Sequence, residues 1–210
     1  MPEGTVHSEL LRRPGKLYVL ASHFHPDHFN KEVLQWREQR PDIIYIFSKD
    51  ILRHRRAQKE DAVWLKKGEE YKDETLSVRA FGSTDVGVSF LLQASGKKIF
   101  HAGDLNNWHW MDESTEAEWK GAEKNFLHEL DDLYAYTPEV DVAMFPVDPR
   151  LGKEYMRGAG QFVTKIKTHI FVPMHFTPEY AKANAFRDFA EAHGVRFVSL
   201  THRGQKIEIE

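Results

Sequence analysis

Three histidines and one aspartate fall within six consecutive positions near the start of the chain, in the segment His23-Phe24-His25-Pro26-Asp27-His28. Imidazole and carboxylate groups are ligands that zinc, iron and manganese accept. Alternate spacing places His23 and His25 on one side of the segment, and Asp27 and His28 then reach a neighbouring position. The spacing therefore suits two metal ions a few ångströms apart, which is the arrangement of two-metal hydrolases.

The elements on either side predict that this segment is a turn between a strand and a helix. The apolar run 17–21 precedes it and is typical of a buried strand. Asn30 follows as a predicted helix N-cap, and Pro41 ends that helix after Arg40. A turn of this kind allows several side chains to converge on one point.

Two later polar side chains also follow predicted strands. Asp104 comes after the strand 97–101, and His175 comes after the strand 169–173. In open α/β sheets, ligand sites gather beyond the carboxyl ends of the strands. We therefore expect Asp104 and His175 to meet the histidine segment at one edge of the fold.

The rest of the pattern predicts an α/β fold in a single domain covering residues 1–210. Helices follow strands in both halves of the chain, with an antiparallel meander between them. Thr115 and Glu118 form a predicted capping box, and Thr177 is predicted to cap a helix that Pro178 opens and Gly194 closes. The remaining predicted strands are 43–47, 62–65, 75–81, 88–94, 140–147, 196–200 and 205–209.

The pattern His-x-His-x-Asp-His at positions 23–28 resembles the signature of the metallo-β-lactamase superfamily. Gly103-Asp104 and His175 within Pro-Met-His resemble later motifs of that superfamily. The resemblance covers roughly residues 17–200 and implies a four-layer αββα sandwich. Within the superfamily, the segment Phe100-His101-Ala102-Gly103-Asp104 looks closest to the branch of L-ascorbate-6-phosphate lactonase-like hydrolases.

The resemblance also implies a set of metal ligands. His23, His25 and Asp104 would hold the first ion, and Asp27, His28, Asp104 and His175 would hold the second. It implies one or two divalent ions, with Zn²⁺ favoured and Mn²⁺ or Fe²⁺ as alternatives. Asp27 would in addition orient the nucleophile and transfer a proton.

The chain departs from the superfamily pattern at two places. Members usually carry a further histidine between the first motif and the aspartate, whereas residues 80–87 contain none. Asp85, His101 or His109 could complete the first metal position, or Asp85 could accept a hydrogen bond from a ligand imidazole. Few residues precede His23, so either the first sheet is shortened or the sequence lacks its beginning, and an open sheet edge would favour a homo-oligomer.

Residues near the predicted strand ends are candidates for binding substrate. Arginine side chains can bind a carboxylate or phosphate through two hydrogen bonds, and tryptophan can form the wall of a pocket. Surface exposure or core packing are equally plausible roles for these side chains. The candidates are Asp148, Arg150, Tyr155, Arg157, Asn106 and Trp108.

Composition narrows the class of partner. The net charge is −3, which disfavours a nucleic-acid or anionic membrane partner, and a small-molecule substrate is expected. The chain contains no cysteine, which excludes disulfides and thiolate metal sites. No signal-peptide pattern occurs in residues 1–16, so a cytoplasmic location is expected.

Three functional hypotheses remain open on the sequence. The first is a hydrolase that uses a metal-bound hydroxide on a small ester, lactone or phosphoester. The second is a phosphodiesterase or nuclease of the same superfamily. The third is a metal-dependent binding or sensor module without turnover, which the missing histidine favours and the intact Asp27 disfavours.

Overall fold

Two β-sheets of unequal size form the centre of the protein in a computed structural model, which describes residue 6, residues 8–176 and residues 178–208. The smaller sheet is parallel and has the order β1-β2-β3. Its strands are β1 (Tyr18–Ala21), β2 (Ile44–Ser48) and β3 (Val63–Leu65).

The larger sheet has seven strands in the order β10-β9-β8-β7-β6-β5-β4. Strands β4 to β7 form an antiparallel meander, whereas β7 to β10 pair in parallel. The strands are β4 (Glu70–Lys72), β5 (Ser77–Phe81), β6 (Ser89–Ala94), β7 (Lys97–His101), β8 (Glu139–Pro146), β9 (Lys167–Met174) and β10 (Arg196–Phe197).

Short helices and one long helix connect the strands. The long helix α3 begins at the predicted capping box, in which Thr115 and Glu118 each accept a hydrogen bond from the other residue's backbone N–H. The α-helices are α1 (Ser8–Leu11), α2 (Lys49–Arg53), α3 (Glu116–Tyr136), α4 (Arg157–Lys165), α5 (Tyr180–Asn184) and α6 (Arg187–Ala192). The 3-10 helices are Lys31–Glu38, Lys59–Asp61 and Pro149–Glu154.

Four apolar clusters hold these elements in four layers, and one of the four contains Val142, Ile170, Val172 and Val198. One lies between α3, α4, α6 and the larger sheet, and includes Phe126, Phe145 and Phe162. A second lies between the two sheets and contains Ile46 and Phe90, while a third packs the 3-10 helix 31–38 and α2 against the outer face of the smaller sheet. The predicted α/β fold with an αββα sandwich is therefore confirmed.

Several predicted elements differ in the structure. The predicted helix after Asn30 is a 3-10 helix over Lys31–Glu38, and it ends two residues before the predicted end at Arg40. The predicted strand 196–200 is shorter in the structure, where only Arg196–Phe197 pairs with β9. Residues 205–208, within the predicted strand 205–209, form no strand. The predicted cap Thr177 lies outside the described residues.

No helix in the described part of the chain is both long enough and apolar enough to cross a membrane.

Candidate metal centre

The ends of three strands bring the predicted ligands together. The histidine segment follows β1 of the smaller sheet, Asp104 follows β7, and His175 follows β9 of the larger sheet. His175 has φ of +64°, a conformation that non-glycine residues seldom adopt. Such strain occurs most often at functional sites, where the surrounding structure holds the residue in place.

Gly103 allows the β7 end to approach the histidine segment. Its φ is +56°, and a Cβ at this position would lie 2.9 Å from Cβ of Ser22 and 3.0 Å from the carbonyl oxygen of Val88. Any larger residue would push Asp104 away from the imidazoles. Glycine at position 103 therefore permits the close approach of this strand end to the histidine segment.

Two groups of potential ligands form at this point. His23, His25 and Asp104 make the first group, and Asp27, His28 and His175 make the second, with the ligand atoms of each group within 4.8 Å of one another. Asp104 lies between the groups. Its Oδ2 is 3.3 Å from Nε2 of His23, and its Oδ1 is 3.1 Å from Nε2 of His28 and 3.4 Å from Nε2 of His175.

The hydrogen bonding of these atoms tests whether the groups fit a metal ion. Asp104 is 6% exposed and His23 is fully buried. Nevertheless, Nε2 of His23 and Oδ1 of Asp104 form no hydrogen bond with any described residue. Because buried polar atoms normally have partners, atoms that converge without hydrogen-bond geometry fit a bound cation.

The ionisation of the side chains also suits a cation. Burial lowers the pKa of His23 to about 4, although Asp104 acts in the opposite direction, and burial likewise lowers the pKa of His28. Burial opposes ionisation of Asp104, but the imidazoles of His175, His28 and His23 hold its pKa below its usual value. Neutral imidazoles around an ionised carboxylate are the protonation states that metal ligands require.

His175 differs from the other histidines in its ionisation. Burial lowers its pKa, but the adjacent carboxylates of Asp104 and Asp148 more than offset this effect and raise its pKa to about 9. In the metal-free protein at neutral pH, His175 is therefore protonated. A metal ion at this position would displace that proton.

Ser22 contacts two of the ligand histidines, a role that the sequence did not predict. Its hydroxyl lies 3.1 Å from Nδ1 of His23 and 3.5 Å from Nδ1 of His28. These contacts leave the Nε2 atoms of both rings facing Asp104. A hydrogen bond to the remote nitrogen fixes the orientation of a ligand imidazole.

Asp148 orients His175 and does not face open solvent as a substrate-binding residue would. It is 1% exposed, and its Oδ2 lies 2.9 Å from Nδ1 of His175. Burial would raise the pKa of Asp148, but His175 and Arg150 outweigh burial and lower it to about 2. The permanent negative charge of Asp148 therefore holds the His175 ring with Nε2 toward Asp104.

We expect Asp148→Asn to weaken metal binding about 10- to 100-fold, because it removes the charge that orients His175. Competition with a chromogenic chelator measures this affinity. Asp131→Asn is the matched control, because Asp131 is exposed on α3 and pairs with Lys165. Equal affinities for Asp148→Asn and the wild type would contradict the orienting role.

The three candidates for completing the first metal position lie in different environments. Oδ2 of Asp85 is 3.8 Å from Nδ1 of His25, so Asp85 is adjacent to the first group. His101 accepts from the backbone N–H of Gly103 through Nδ1, and burial lowers its pKa to about 4. Neither residue belongs to the two ligand groups.

His109 is directed away from the ligand groups, contrary to its predicted position. Its Nε2 contacts the carbonyl oxygen of Glu154 at 3.2 Å, and its Nδ1 accepts from the backbone N–H of Met111. Both ring nitrogens therefore have backbone partners, and His109 stabilises the loop that follows Asp104.

Two of the predicted substrate-binding residues lie beside the ligands. The Trp108 ring is 5.4 Å from the His175 ring, edge to face, and its indole N–H donates to the carbonyl of Asp104. Nε and Nη2 of Arg150 both donate to the carboxylate of Asp148, and Nη2 also lies 3.3 Å from Nδ1 of His175. The Arg150 side chain is 64% exposed, so it places a positive charge at the rim of the second group.

Of the other three candidates, two have hydrogen-bond partners elsewhere in the fold, and the third, Asn106, is buried with no side-chain hydrogen bond among the described residues. The hydroxyl of Tyr155 donates to the carbonyl of Lys182, and Nε of Arg157 donates to Glu123 on α3. Asn106 is fully buried, with its side chain against Gly158 of α4. None of the three contacts a ligand group in the described structure.

The comparisons with known proteins identify the family. Residues 7–176 match the family profile described as a beta-lactamase superfamily domain. Together with the fold and the histidine segment, this match shows that the chain belongs to the metallo-β-lactamase superfamily. No curated protein sequence matches the chain.

Solved structures share the fold at low sequence identity. Igni18, a metallo hydrolase from Ignicoccus hospitalis, is 16% identical with a TM-score of 0.59, over 88% of this chain and 76% of that protein. YhfI, a metallo-beta-lactamase fold protein from Bacillus subtilis, is 12% identical with a TM-score of 0.55, over 87% and 75%. The diiron β-hydroxylase CmlA from Streptomyces venezuelae is 14% identical with a TM-score of 0.58, over 90% of this chain and 44% of CmlA.

Proposed function

We propose that this protein is a metal-dependent hydrolase that acts on a small ester, lactone or phosphoester. The observation that carries the proposal is the position of Asp104. This buried carboxylate lies between two groups of ligands, and its Oδ1 has no hydrogen-bond partner among the described residues. A divalent ion bound there would lower the pKa of a coordinated water to about 7 and polarise the substrate.

The side chains at the site would have two roles, binding the metal ions and transferring a proton. His23, His25 and Asp104 would hold one ion, and Asp27, His28, Asp104 and His175 the other. The Asp27 side chain is 70% exposed, so its carboxylate can reach both solvent and substrate. An exposed carboxylate beside the ligands is suited to accepting and returning a proton.

Which divalent metal ion the two ligand groups bind is also part of the proposal. Asp85, whose Oδ2 lies 3.8 Å from Nδ1 of His25, is the residue that we propose completes the first position, and its carboxylate would add an oxygen ligand there. Oxygen ligands suit manganese and iron as well as zinc. We therefore propose Zn²⁺ as the first ion to test, followed by Mn²⁺ and Fe²⁺.

The resemblance of residues 100–104 to L-ascorbate-6-phosphate lactonase-like hydrolases makes lactones one of the substrate classes to test. A phosphodiesterase or nuclease remains the second hypothesis within the superfamily. A binding or sensor module remains the alternative outside enzymes.

Turnover by metal-loaded protein tests the proposal. We expect protein loaded with Zn²⁺, Mn²⁺ or Fe²⁺ to hydrolyse at least one of p-nitrophenyl acetate, γ-butyrolactone and bis-p-nitrophenyl phosphate. A chelator should abolish the activity, and adding the ion back should restore it. Complete metal loading without turnover of any substrate would contradict the hydrolase and favour a binding module.

A further inference from the structure

A groove begins at His175 and runs along the face of the larger sheet that is turned toward the smaller sheet. Its volume is about 410 Å³, which is within the range of small-ligand sites. It lies between the ends of β8 and β9 on one side and residues 200–207 on the other. Met144, Val172 and Leu200 are among its lining residues.

The unequal size of the two sheets explains why the groove exists. Cross-strand register places Leu92, Ile99, Val142 and Ile170 on one face of the larger sheet. The smaller sheet covers the part of this face formed by β5 and β6. Over β8 and β9 the covering residues are instead Val198, Leu200 and Ile207.

The groove is continuous with the candidate metal centre. His175 belongs to the second ligand group and is also a lining residue of the groove. A substrate whose reacting bond lies beside His175 can therefore extend a substituent along the groove in contact with protein. That direction follows the carboxyl ends of β8 and β9 toward Leu200.

The chemistry of the lining favours an apolar substituent. Apolar side chains form most of the lining, among them Met144, Met174, Phe176 and Leu200. Besides His175, the polar side chains of His202, Arg203 and Gln205 also line the groove. No aspartate or glutamate lines the groove in the described part of the chain. Methionine side chains are flexible and polarisable, so they adapt to hydrocarbon chains of different shape.

We propose that this groove binds the hydrocarbon chain of the substrate, so that the protein acts on esters or lactones with an alkyl or acyl chain in preference to short polar ones. The inference rests on the proposed hydrolase and specifies its substrate class. It predicts that a sugar-phosphate lactone, which has no hydrocarbon chain, is a poorer substrate than an acyl ester.

A series of p-nitrophenyl esters from acetate to octanoate tests the preference on metal-loaded protein. Each methylene that enters the groove is expected to raise kcat/KM by up to about fourfold, since burying a methylene contributes about 0.8 kcal/mol. Leu200→Trp fills the groove and should lower the ratio of octanoate to acetate kcat/KM by about tenfold or more. Leu200→Ala should move the preference toward longer chains.

A matched control separates the groove from a general effect of an added tryptophan. Phe189→Trp lies on α6, on the outer helical face, and should leave the octanoate to acetate ratio unchanged. A wild-type ratio near one, or a Leu200→Trp variant that lowers acetate and octanoate turnover equally, would overturn the proposal.

Binding of non-hydrolysable probes distinguishes this proposal from the proposed function. Calorimetry would compare octylphosphonate with methylphosphonate on metal-loaded wild type and Leu200→Trp. Tighter binding of octylphosphonate that Leu200→Trp removes supports the groove even if no ester is hydrolysed. Equal binding of the two phosphonates by the wild type overturns it, whatever the turnover results.

Discussion

Asp104→Asn is expected to remove metal binding from both ligand groups. Asp104 lies within 3.1 to 3.4 Å of His23, His28 and His175. Its carboxylate supplies a negative charge for binding a cation, which neutral imidazoles do not. Loss of residues that only orient ligands reduces affinity 10- to 100-fold. We therefore expect the loss of Asp104 to reduce affinity by more than about 100-fold at both positions, measured by elemental analysis after gel filtration.

The matched control for this variant is Asp131→Asn, which changes an exposed carboxylate on α3. It should retain the wild-type metal content. If Asp104→Asn kept all of its metal, Asp104 would not be the shared ligand, and the two groups would have to be independent.

Asp27→Asn should reduce kcat/KM by about 10²- to 10⁴-fold on whichever substrate the wild type hydrolyses. This range is the usual contribution of a positioned acid or base. Because Asp27 also belongs to the second ligand group, metal content must be measured on the same samples. Steady-state kinetics at saturating metal then separate loss of proton transfer from loss of the ion.

Asp42→Asn is a suitable control for Asp27→Asn, because the side chains of Asp42 and Asp27 are both 70% exposed. It should leave kcat/KM unchanged. Wild-type turnover in Asp27→Asn with full metal content would exclude Asp27 from proton transfer and assign it to metal binding alone.

The sequence predicted which side chains converge at this centre better than it predicted the residues that support them. His23, His25, Asp104 and His175 follow directly after buried strands, and strand ends at one sheet edge converge by geometry. Asp148 also follows a strand, but nothing in its sequence context distinguishes a buried carboxylate that orients His175 from one at the rim. That distinction depends on burial, which arises only when β8 and β9 pair.

The loop after Asp104 shows a second limit of sequence patterns. His109 and Trp108 are adjacent in sequence and lie in the same Asn- and Trp-rich loop, so the sequence does not distinguish their roles. In the structure, His109 bonds to the backbone of Glu154 and Met111, whereas Trp108 packs against His175. Side-chain direction in an irregular loop has no periodicity that would predict it.

The groove could not be predicted from the sequence either. Residues such as Val142 and Ile170 pattern as buried strand positions, and periodicity cannot tell which element covers them. In the described chain, residues 198–207 cover these positions of β8 and β9.

The number of metal ions bound per chain tests the central claim most directly. Elemental analysis of protein reconstituted with Zn²⁺ and freed of loosely bound ions would give this number. Two ligand groups joined by Asp104 predict a value close to two. A value close to zero after reconstitution, in protein that is folded, would contradict the metal centre and with it the proposed hydrolase.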